Sequence, residues 1–300
     1  MRGDFEAWSR EKLTEVESAL MRWVPEHAPA GLGEAMRYGV LDGGKRLRPL
    51  LALAAAEAVG ASVEPPRAEA ALRTACAVEL IHAYSLIHDD MPCMDDDVLR
   101  RGKPTVHVRY GQALAMLAGD AMQALAFEVL TPEAPGVPLA LQARLCRMLA
   151  RAAGQHGMAG GQAIDLASIG TPLDENALRD MHRRKTGALL QASVMMGAAC
   201  GEAGPAATQA LSDYGAALGL AFQVVDDVLD ATQLSATLGK TAGKDADHNK
   251  PTYVTVLGLG AARAQAQALH AQAHEALARS GLADTVWLAA LADRVIERDN

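Results

Sequence analysis

The chain has 300 residues, of which 50% are hydrophobic and 21% are charged. That apolar content suffices for a folded core and excludes an intrinsically disordered protein. The net charge of −8 argues against nucleic acid as a partner, because phosphate backbones are bound by basic surfaces. Four widely spaced cysteines form no CxxC pair, so neither a zinc site nor a secreted disulfide framework is expected. There is no apolar leader after Met1 and no apolar run near about 18 residues, which predicts a cytoplasmic protein without membrane insertion.

The predicted elements are helices separated by proline and glycine. In chain order they cover 5–23, 50–59, 68–88, 139–153, a segment from an N-cap at Asp174 through Arg184, 206–229, and two alanine-rich helices after Tyr253. Alternating strand patterns are absent, except for an ambiguous stretch at 253–256. The sequence therefore predicts an all-α protein of about ten or more helices around one core, in a single domain over residues 1–300.

An acidic segment follows the apolar helix 68–88 and holds five aspartates: Asp89, Asp90, Asp95, Asp96 and Asp97. An acidic run is usually a solvated surface turn, but this one emerges from a core helix. Carboxylates at such density repel one another unless a cation neutralises them. On an ideal helix Asp96 is nearly aligned with Asp89 and Asp95 lies about 120° away, but Pro92 is expected to distort the helix, so both remain candidates.

A second acidic group, Asp226, Asp227 and Asp230, closes another apolar helix. The three carboxylates fall within about 100° of one another on a helix and therefore project to one side. Unpaired aspartates are unfavourable near a helix C-terminus, where the macrodipole is negative. Carboxylates without neighbouring histidine or cysteine indicate a hard cation such as Mg²⁺, which commonly bridges carboxylates and substrate phosphates.

Basic residues are concentrated beside these acidic groups. Each basic segment alone is usually a solvated face, but together with the aspartates they indicate a magnesium-bridged polyphosphate held by charge-assisted hydrogen bonds. The chain has no Walker A motif, no GxGxxG after a strand and no local nucleophilic set, so a nucleotide-binding function lacks support. The basic residues lie in four segments, at Lys45, Arg46 and Arg48; at Arg100, Arg101 and Lys103; at Arg183, Arg184 and Lys185; and at Lys240, Lys244 and Lys250.

With these motifs the sequence resembles the short-chain trans-prenyltransferases of the polyprenyl synthetase family, its bacterial farnesyl diphosphate-forming members most closely. The resemblance covers nearly the whole chain, and a pair of DDxxD-type motifs, each with its basic partner, is a far more specific signal than one alone. The blocks that carry it are GGKRLRP at 43–49, IHAYSLIHDDMPCMDDD at 81–97, RRGKPT at 100–105, KTG at 185–187, QVVDDVLD at 223–230 and LGK at 238–240.

The resemblance implies an isoprenoid-synthase fold, in which the two aspartate motifs face each other across a central cavity, and a homodimer. It implies three Mg²⁺ ions in each active site, with Mn²⁺ able to substitute. Asp89 and Asp95 would hold the metal on one wall and Asp226 on the other, with Asp90, Asp227 and Asp230 in support.

The resemblance also implies the substrates, isopentenyl diphosphate and an allylic diphosphate, which the family condenses head to tail. Thr186 and Gln223 would border the reacting carbons. On position alone, His82 is equally a core histidine, and only the resemblance gives it a substrate role. The isopentenyl diphosphate site would comprise Lys45, Arg48, His82 and Arg101, and the allylic site Arg100, Lys185, Lys240 and Lys250.

Product length has one indication in the sequence. Tyr84 and Ser85 lie five and four residues before Asp89, about 6 to 7 Å farther from the diphosphate end along a helix. In the family an aromatic residue here accompanies a short product, so farnesyl diphosphate is expected, and geranylgeranyl or geranyl diphosphate is the alternative. A terpene cyclase, a non-catalytic partner subunit of the same fold or a polyphosphate hydrolase agrees less well with two intact aspartate motifs.

Overall fold

The computed structural model describes residues 2–41, 43–133, 136–171, 173–232 and 251–297. These residues are almost entirely helical, which confirms the all-α prediction. In chain order the first helices are α1 (Arg2–Trp23), α2 (Leu32–Val40), α3 (Leu47–Ala58), α4 (Pro65–Asp89), α5 (Val106–Tyr110), α6 (Gln112–Leu130) and α7 (Leu139–Ala153). The others are α8 (Met158–Ala167), α9 (Glu175–His182), α10 (Ala188–Ala199), α11 (Pro205–Thr232), α12 (Tyr253–Leu257), α13 (Leu259–Arg279) and α14 (Val286–Ile296).

Helix boundaries follow local chemistry. Pro65 and Pro66 occupy the first turn of α4, where the missing N–H groups need no partner, so this helix begins earlier than 68. The carboxylate of Asp174 accepts a hydrogen bond of 2.8 Å from the backbone N–H of Ala177, which confirms the predicted N-cap. The ambiguous stretch at 253–256 is helical because Thr252 forms a capping box with Thr255.

The buried side chains form two clusters that share α3 and α10. On one face of α3, Ala52 belongs to a cluster with α1, α4 and α6, and Leu51, the residue before it, belongs to a cluster with α11, α13 and α14. The two shared helices approach closely: a Cβ added to Gly197 of α10 would lie 2.0 Å from the carbonyl oxygen of Ala52. Small residues at this crossing therefore bring α4 and α11 to opposite sides of one helical layer.

Two described helices, α4 and α6, are long and apolar enough by length and composition to cross a membrane. In α4, 78% of the apolar window is buried within the protein, as in the core helix of a soluble fold, whereas in α6 the share is 39%. The predictions that the chain does not enter a membrane and that residues 1–300 form a single domain stay predictions.

A short hairpin interrupts the helices after the first aspartate motif. Strand β1 (Leu99–Arg100) pairs antiparallel with β2 (Lys103–Pro104). Arg101 and Gly102 between them have positive φ angles of 52° and 76°, which close the tight turn. This two-residue pairing is too short for the alternation of side chains to mark it in the sequence.

Candidate active site

The first aspartate motif lies where α4 ends. The helix terminates at Asp89, before Pro92, which agrees with the predicted end near residue 88 and with the distortion expected at Pro92. The chain then folds back: the backbone N–H of Asp95 donates to the carbonyl of Asp89 at 2.9 Å. Asp95 is half-buried beside Asp89, whereas Asp96 is exposed and has a φ of +49°. This turn favours Asp95 over Asp96 as the partner of Asp89.

The charge on Asp89 is poorly compensated by the protein. Burial raises the pKa of Asp89 to about 6, against the opposing effect of Lys185, and the carboxylates of Asp95 and Asp90 raise it further. A cation that binds between these carboxylates would reduce their mutual repulsion and stabilise their charged form.

Asp90 and Arg100 form a bidentate pair. The Nε and Nη2 atoms of Arg100, on β1, donate to both carboxylate oxygens of Asp90 at 2.6–3.0 Å. Burial raises the pKa of Asp90 and the hydrogen bonds from Arg100 oppose that shift. Two predicted site residues, one acidic and one basic, therefore contact each other directly in this structure.

The basic residues of the loop before α3 have different surroundings: Arg46 is part of the core, whereas Lys45 and Arg48 are predicted site residues. Arg46 has a left-handed φ of 45°, and its guanidinium is buried against Glu17 at 2.7 Å and Glu79 at 2.8 Å. It therefore anchors the loop, a role that the sequence did not distinguish from those of its neighbours. Lys45 is left exposed, and Arg48 lies buried in the first turn of α3.

His82, about two turns before Asp89 on α4, lies among cations. Its pKa is held well below the ordinary value, first by desolvation and then by the charges of Arg48 and Arg101. Arg101 also donates to the carbonyl of Gly43, and a Cβ on Gly44 would lie 2.6 Å from its guanidinium. The predicted isopentenyl diphosphate residues Arg48, His82 and Arg101 thus lie close enough for the two guanidinium charges to lower the pKa of the imidazole.

A turn of π-helix joins α9 to α10 and carries Lys185 and Thr186. The Nζ atom of Lys185 donates to Asp165 of α8 at 2.6 Å. The hydroxyl of Thr186 donates to the Oε1 atom of Gln223 at 2.9 Å, on α11. The predicted residues of this segment are therefore held by two different neighbouring helices.

The second aspartate motif is anchored through Gln223. Its Nε2 atom donates to Asp227 at 2.8 Å, and the backbone N–H of Tyr253 donates to the other oxygen of Asp227 at 2.7 Å. Asp227 is buried with both oxygens engaged, whereas Asp226 and Asp230 are half-buried on the neighbouring face of α11. The sequence predicts that all three carboxylates project to one side of the helix. In the structure this holds for Asp226 and Asp230, whereas Asp227 turns toward α12.

The two motifs meet at the π-helical turn. The charge of Lys185 lowers the pKa of Asp89 in the first motif, against the effect of burial. Its neighbour Thr186 is hydrogen-bonded to Gln223, three residues before Asp226. Consecutive residues of one turn therefore lie near the end of α4 and near α11, as expected if the two motifs border one cavity.

Two residues that sequence analysis missed support this arrangement. Asp165 holds Lys185, and His182 is buried with its ring stacked on Tyr253 at 5.5 Å, 4.0 Å from Asp227. Desolvation lowers the pKa of His182 to about 4. Neither residue belongs to a recognisable motif, since each contacts the site from a separate helix.

The predicted chain-length residues lie on α4 below Asp89. Tyr84 is 8% exposed, packs edge-on against His88 and accepts a hydrogen bond of 3.4 Å from Gln123 of α6. Ser85 donates its hydroxyl proton to the carbonyl of His82. Lys240 and Lys250, predicted for the allylic diphosphate, lie outside the described residues.

Comparison with known proteins places this architecture among characterised folds. The model of the polyprenyl synthetase family matches residues 29–284. A probable farnesyl diphosphate synthase of Sinorhizobium fredii is 49% identical over 283 residues, which are 92% of this chain and 83% of the relative. A chloroplastic geranylgeranyl pyrophosphate synthase of Catharanthus roseus is 43% identical over 298 residues, 99% of this chain and 82% of the relative. A geranyltransferase of Helicobacter pylori, solved with magnesium and isoprenyl diphosphate, has a TM-score of 0.83 at 34% identity and covers 97% of this chain and 95% of its own.

An all-helical fold with two aspartate motifs joined by a basic turn defines a prenyltransferase of the isoprenoid-synthase class. The chain belongs to the polyprenyl synthetase family. The resemblance seen in the sequence is thereby confirmed.

Proposed function

We propose that this chain is a farnesyl diphosphate synthase. It condenses isopentenyl diphosphate with dimethylallyl diphosphate and then with geranyl diphosphate, to give (2E,6E)-farnesyl diphosphate. The observation that carries the proposal is the π-helical turn at Lys185 and Thr186, which connects the two aspartate motifs. The relative from Sinorhizobium fredii that carries the name probable farnesyl diphosphate synthase, at 49% identity, supports the product.

The donor set fits Mg²⁺. Aspartate oxygens are its preferred protein ligands, and Asp89 is a partly buried carboxylate whose pKa is raised by burial and by the neighbouring charges of Asp95 and Asp90. Asp89, Asp95 and Asp226 would hold the ions, three in each active site, with Asp90, Asp227 and Asp230 as further carboxylates of the two motifs. When bound, Mg²⁺, or Mn²⁺ in its place, neutralises the diphosphate and stabilises pyrophosphate as a leaving group.

The side chains of the chain orient the two substrates. Arg48, His82 and Arg101, with the exposed Lys45, bind the diphosphate of isopentenyl diphosphate; a neutral His82 donates a hydrogen bond without adding repulsion between its cationic neighbours. Arg100, Lys185, Lys240 and Lys250 bind the allylic diphosphate. Each of the two diphosphates is thus bound by basic side chains from separate segments of the chain.

The reaction needs no protein nucleophile. The allylic C–O bond breaks with its electron pair going to the diphosphate, the double bond of isopentenyl diphosphate forms the new C–C bond, and a proton leaves the adjacent carbon. Thr186 and Gln223, fixed by their mutual hydrogen bond, present oxygen atoms to the carbocation region.

Product analysis tests this proposal. Labelled isopentenyl diphosphate and dimethylallyl diphosphate, incubated with the enzyme and Mg²⁺, are expected to give a C15 diphosphate, and a chelator is expected to abolish it. A C20 or C10 product would select the geranylgeranyl or geranyl alternative, which the relative from Catharanthus roseus supports. Cyclic hydrocarbon would indicate a terpene cyclase, and release of phosphate without elongation a polyphosphate hydrolase.

The enzyme is proposed to be a cytoplasmic homodimer. Helix α6 is apolar yet largely unburied within one chain, and Met116 and Leu117 on it are 38% and 54% exposed. A second copy packed on α6 would cover this face. Sedimentation equilibrium at micromolar concentration is expected to give twice the chain mass.

A further inference from the structure

A cluster of two histidines and one aspartate joins the last two helices. His270 and His274 lie four residues apart on one face of α13, and Asp293 faces them from α14. The Nε2 atoms of both histidines lie 2.8 Å from the same oxygen of Asp293 and 3.0 Å from each other. None of these residues belongs to the prenyltransferase site.

No placement of hydrogen atoms on the two neutral imidazoles makes all three of these contacts favourable. If both Nε2 atoms carry hydrogen, each donates to Asp293, but two donors then face each other at 3.0 Å. If one Nε2 atom is deprotonated, its lone pair accepts from the other histidine but faces the carboxylate oxygen at 2.8 Å. One contact of the three is therefore repulsive in any arrangement with neutral imidazoles.

A metal ion removes this conflict because it accepts a lone pair from all three atoms. The three atoms lie on a circle of radius about 1.7 Å, which is smaller than a metal–nitrogen bond of about 2.0–2.1 Å. An ion about 1.2 Å above their plane would therefore contact all three. Edges of 2.8–3.0 Å correspond to ligands about 90° apart, as on one face of an octahedron.

We infer that His270, His274 and Asp293 form a binding site for a divalent transition-metal ion, such as Co²⁺, Ni²⁺ or Zn²⁺. Imidazole nitrogen with one carboxylate oxygen selects these ions over Mg²⁺, which prefers oxygen ligands. The three side chains are 26%, 36% and 48% exposed, so solvent reaches the ion and water completes its coordination.

The site is separate from the catalytic aspartates. The charge of Asp293 acts on Tyr214 of α11, which precedes Asp226 by twelve residues, about 18 Å along the helix. An ion bound there would link α13 to α14 in the folded state and raise the temperature of unfolding.

The experiment uses the untagged full chain with Mg²⁺ in excess, so that the aspartate motifs are occupied. CoCl₂ is titrated while visible absorption is recorded, and the melting temperature is measured with and without Co²⁺. We compare the wild type, His270→Gln/His274→Gln, Asp89→Asn/Asp226→Asn, and His27→Gln as a control at an exposed, isolated histidine. Circular dichroism and Mg²⁺-dependent prenyl transfer check that the histidine variants are folded.

A saturable Co²⁺ band with an increase in melting temperature is expected in the wild type, in His27→Gln and in Asp89→Asn/Asp226→Asn. In His270→Gln/His274→Gln the dissociation constant is expected to rise at least tenfold, with prenyl transfer unchanged. Absence of the band from the wild type, its persistence in His270→Gln/His274→Gln, or its loss only in Asp89→Asn/Asp226→Asn would overturn the proposal.

Discussion

Tyr84 combines two properties that suit the floor of a hydrocarbon pocket. It lies on the same helix as Asp89, below the proposed diphosphate end, and its ring is fixed between His88 and the Gln123 hydrogen bond. A fixed ring limits the length of a growing chain by steric exclusion.

Tyr84→Ala is therefore expected to shift the product from C15 toward C20 or longer, because the space of the ring becomes available to the isoprenoid chain. Chromatography of the dephosphorylated products measures the shift. Tyr84→Phe keeps the ring and loses only the bond from Gln123, so it should retain the C15 product. An unchanged C15 product from Tyr84→Ala would remove the role of Tyr84 in length control.

The lowered pKa of the buried His182 makes the free energy of unfolding depend on pH. Its pKa is about 4 in the folded protein and about 6.5 when unfolded, so between these values the unfolded chain binds a proton that the folded chain does not. The free energy of unfolding therefore falls as the pH decreases from about 6.5 to about 4, by about 3 kcal/mol from this residue, and is unaffected above that window.

His182→Gln is expected to reduce this dependence, so that the difference in unfolding free energy between variant and wild type changes across pH 4–7. Urea unfolding at several pH values measures it. His156→Gln, at an exposed histidine, is the matched control and should run parallel to the wild type. Parallel curves for His182→Gln as well would contradict the buried neutral state.

At the scale of elements, the π-helical turn depends on close backbone approach. A Cβ on Gly161 of α8 would lie 2.2 Å from the backbone nitrogen of Lys185, and one on Gly219 of α11 would lie 2.8 Å from the Cα atom of Gly187. Both contacts are with backbone, which cannot move aside as a flexible side chain does. The glycines therefore set the position of Lys185 and Thr186 between α8 and α11.

Gly161→Ala should displace this turn, lowering kcat at least tenfold and the free energy of unfolding by about 1–3 kcal/mol. Steady-state kinetics and urea unfolding measure the two effects. The control is Gly260→Ala on α13, where an added Cβ meets no atom within 4 Å; its stability should be unchanged or slightly higher. Wild-type kcat and stability in Gly161→Ala would refute the positioning role of the glycine.

Most elements could be predicted from the sequence because their ends carry local signals. Asp174 marks a helix start, and the apolar content of 68–88 predicts a buried helix. The end of α4 near residue 88 was predicted, but the turn after it could not be, because it depends on backbone hydrogen bonds back to residues 89–91. The π-helical turn was missed for a similar reason, since packing of Gly161 and Gly219 determines it.

For the site, the motifs predicted a set of candidate residues but not which of them contact each other. Asp227 and Asp90 belong to the aspartate motifs, yet each is engaged by protein donors, from Gln223 and Arg100 respectively. Asp165 was missed because a lone acidic residue in α8 has no distinguishing sequence pattern. Such pairings depend on tertiary contacts between residues far apart in the chain.

For the molecule as a whole, two hydrophobic clusters that share α3 and α10 hold α4 and α11 in place. Each of these helices ends in an aspartate motif, so the core determines where the carboxylates lie. The proposed reaction requires that Asp89 and Asp226 act on one common ligand, the metal-bound pyrophosphate, rather than on two separate ones.

A double-mutant cycle in binding tests this requirement most directly. Calorimetric titration of pyrophosphate in the presence of Mg²⁺ is performed on the wild type, Asp89→Asn, Asp226→Asn and the double variant. A shared ligand predicts that each single change weakens binding strongly and that the double change costs less than their sum, with a coupling of about 1 kcal/mol or more. Additive losses within about 0.5 kcal/mol, or wild-type affinity in either single variant, would contradict a common site.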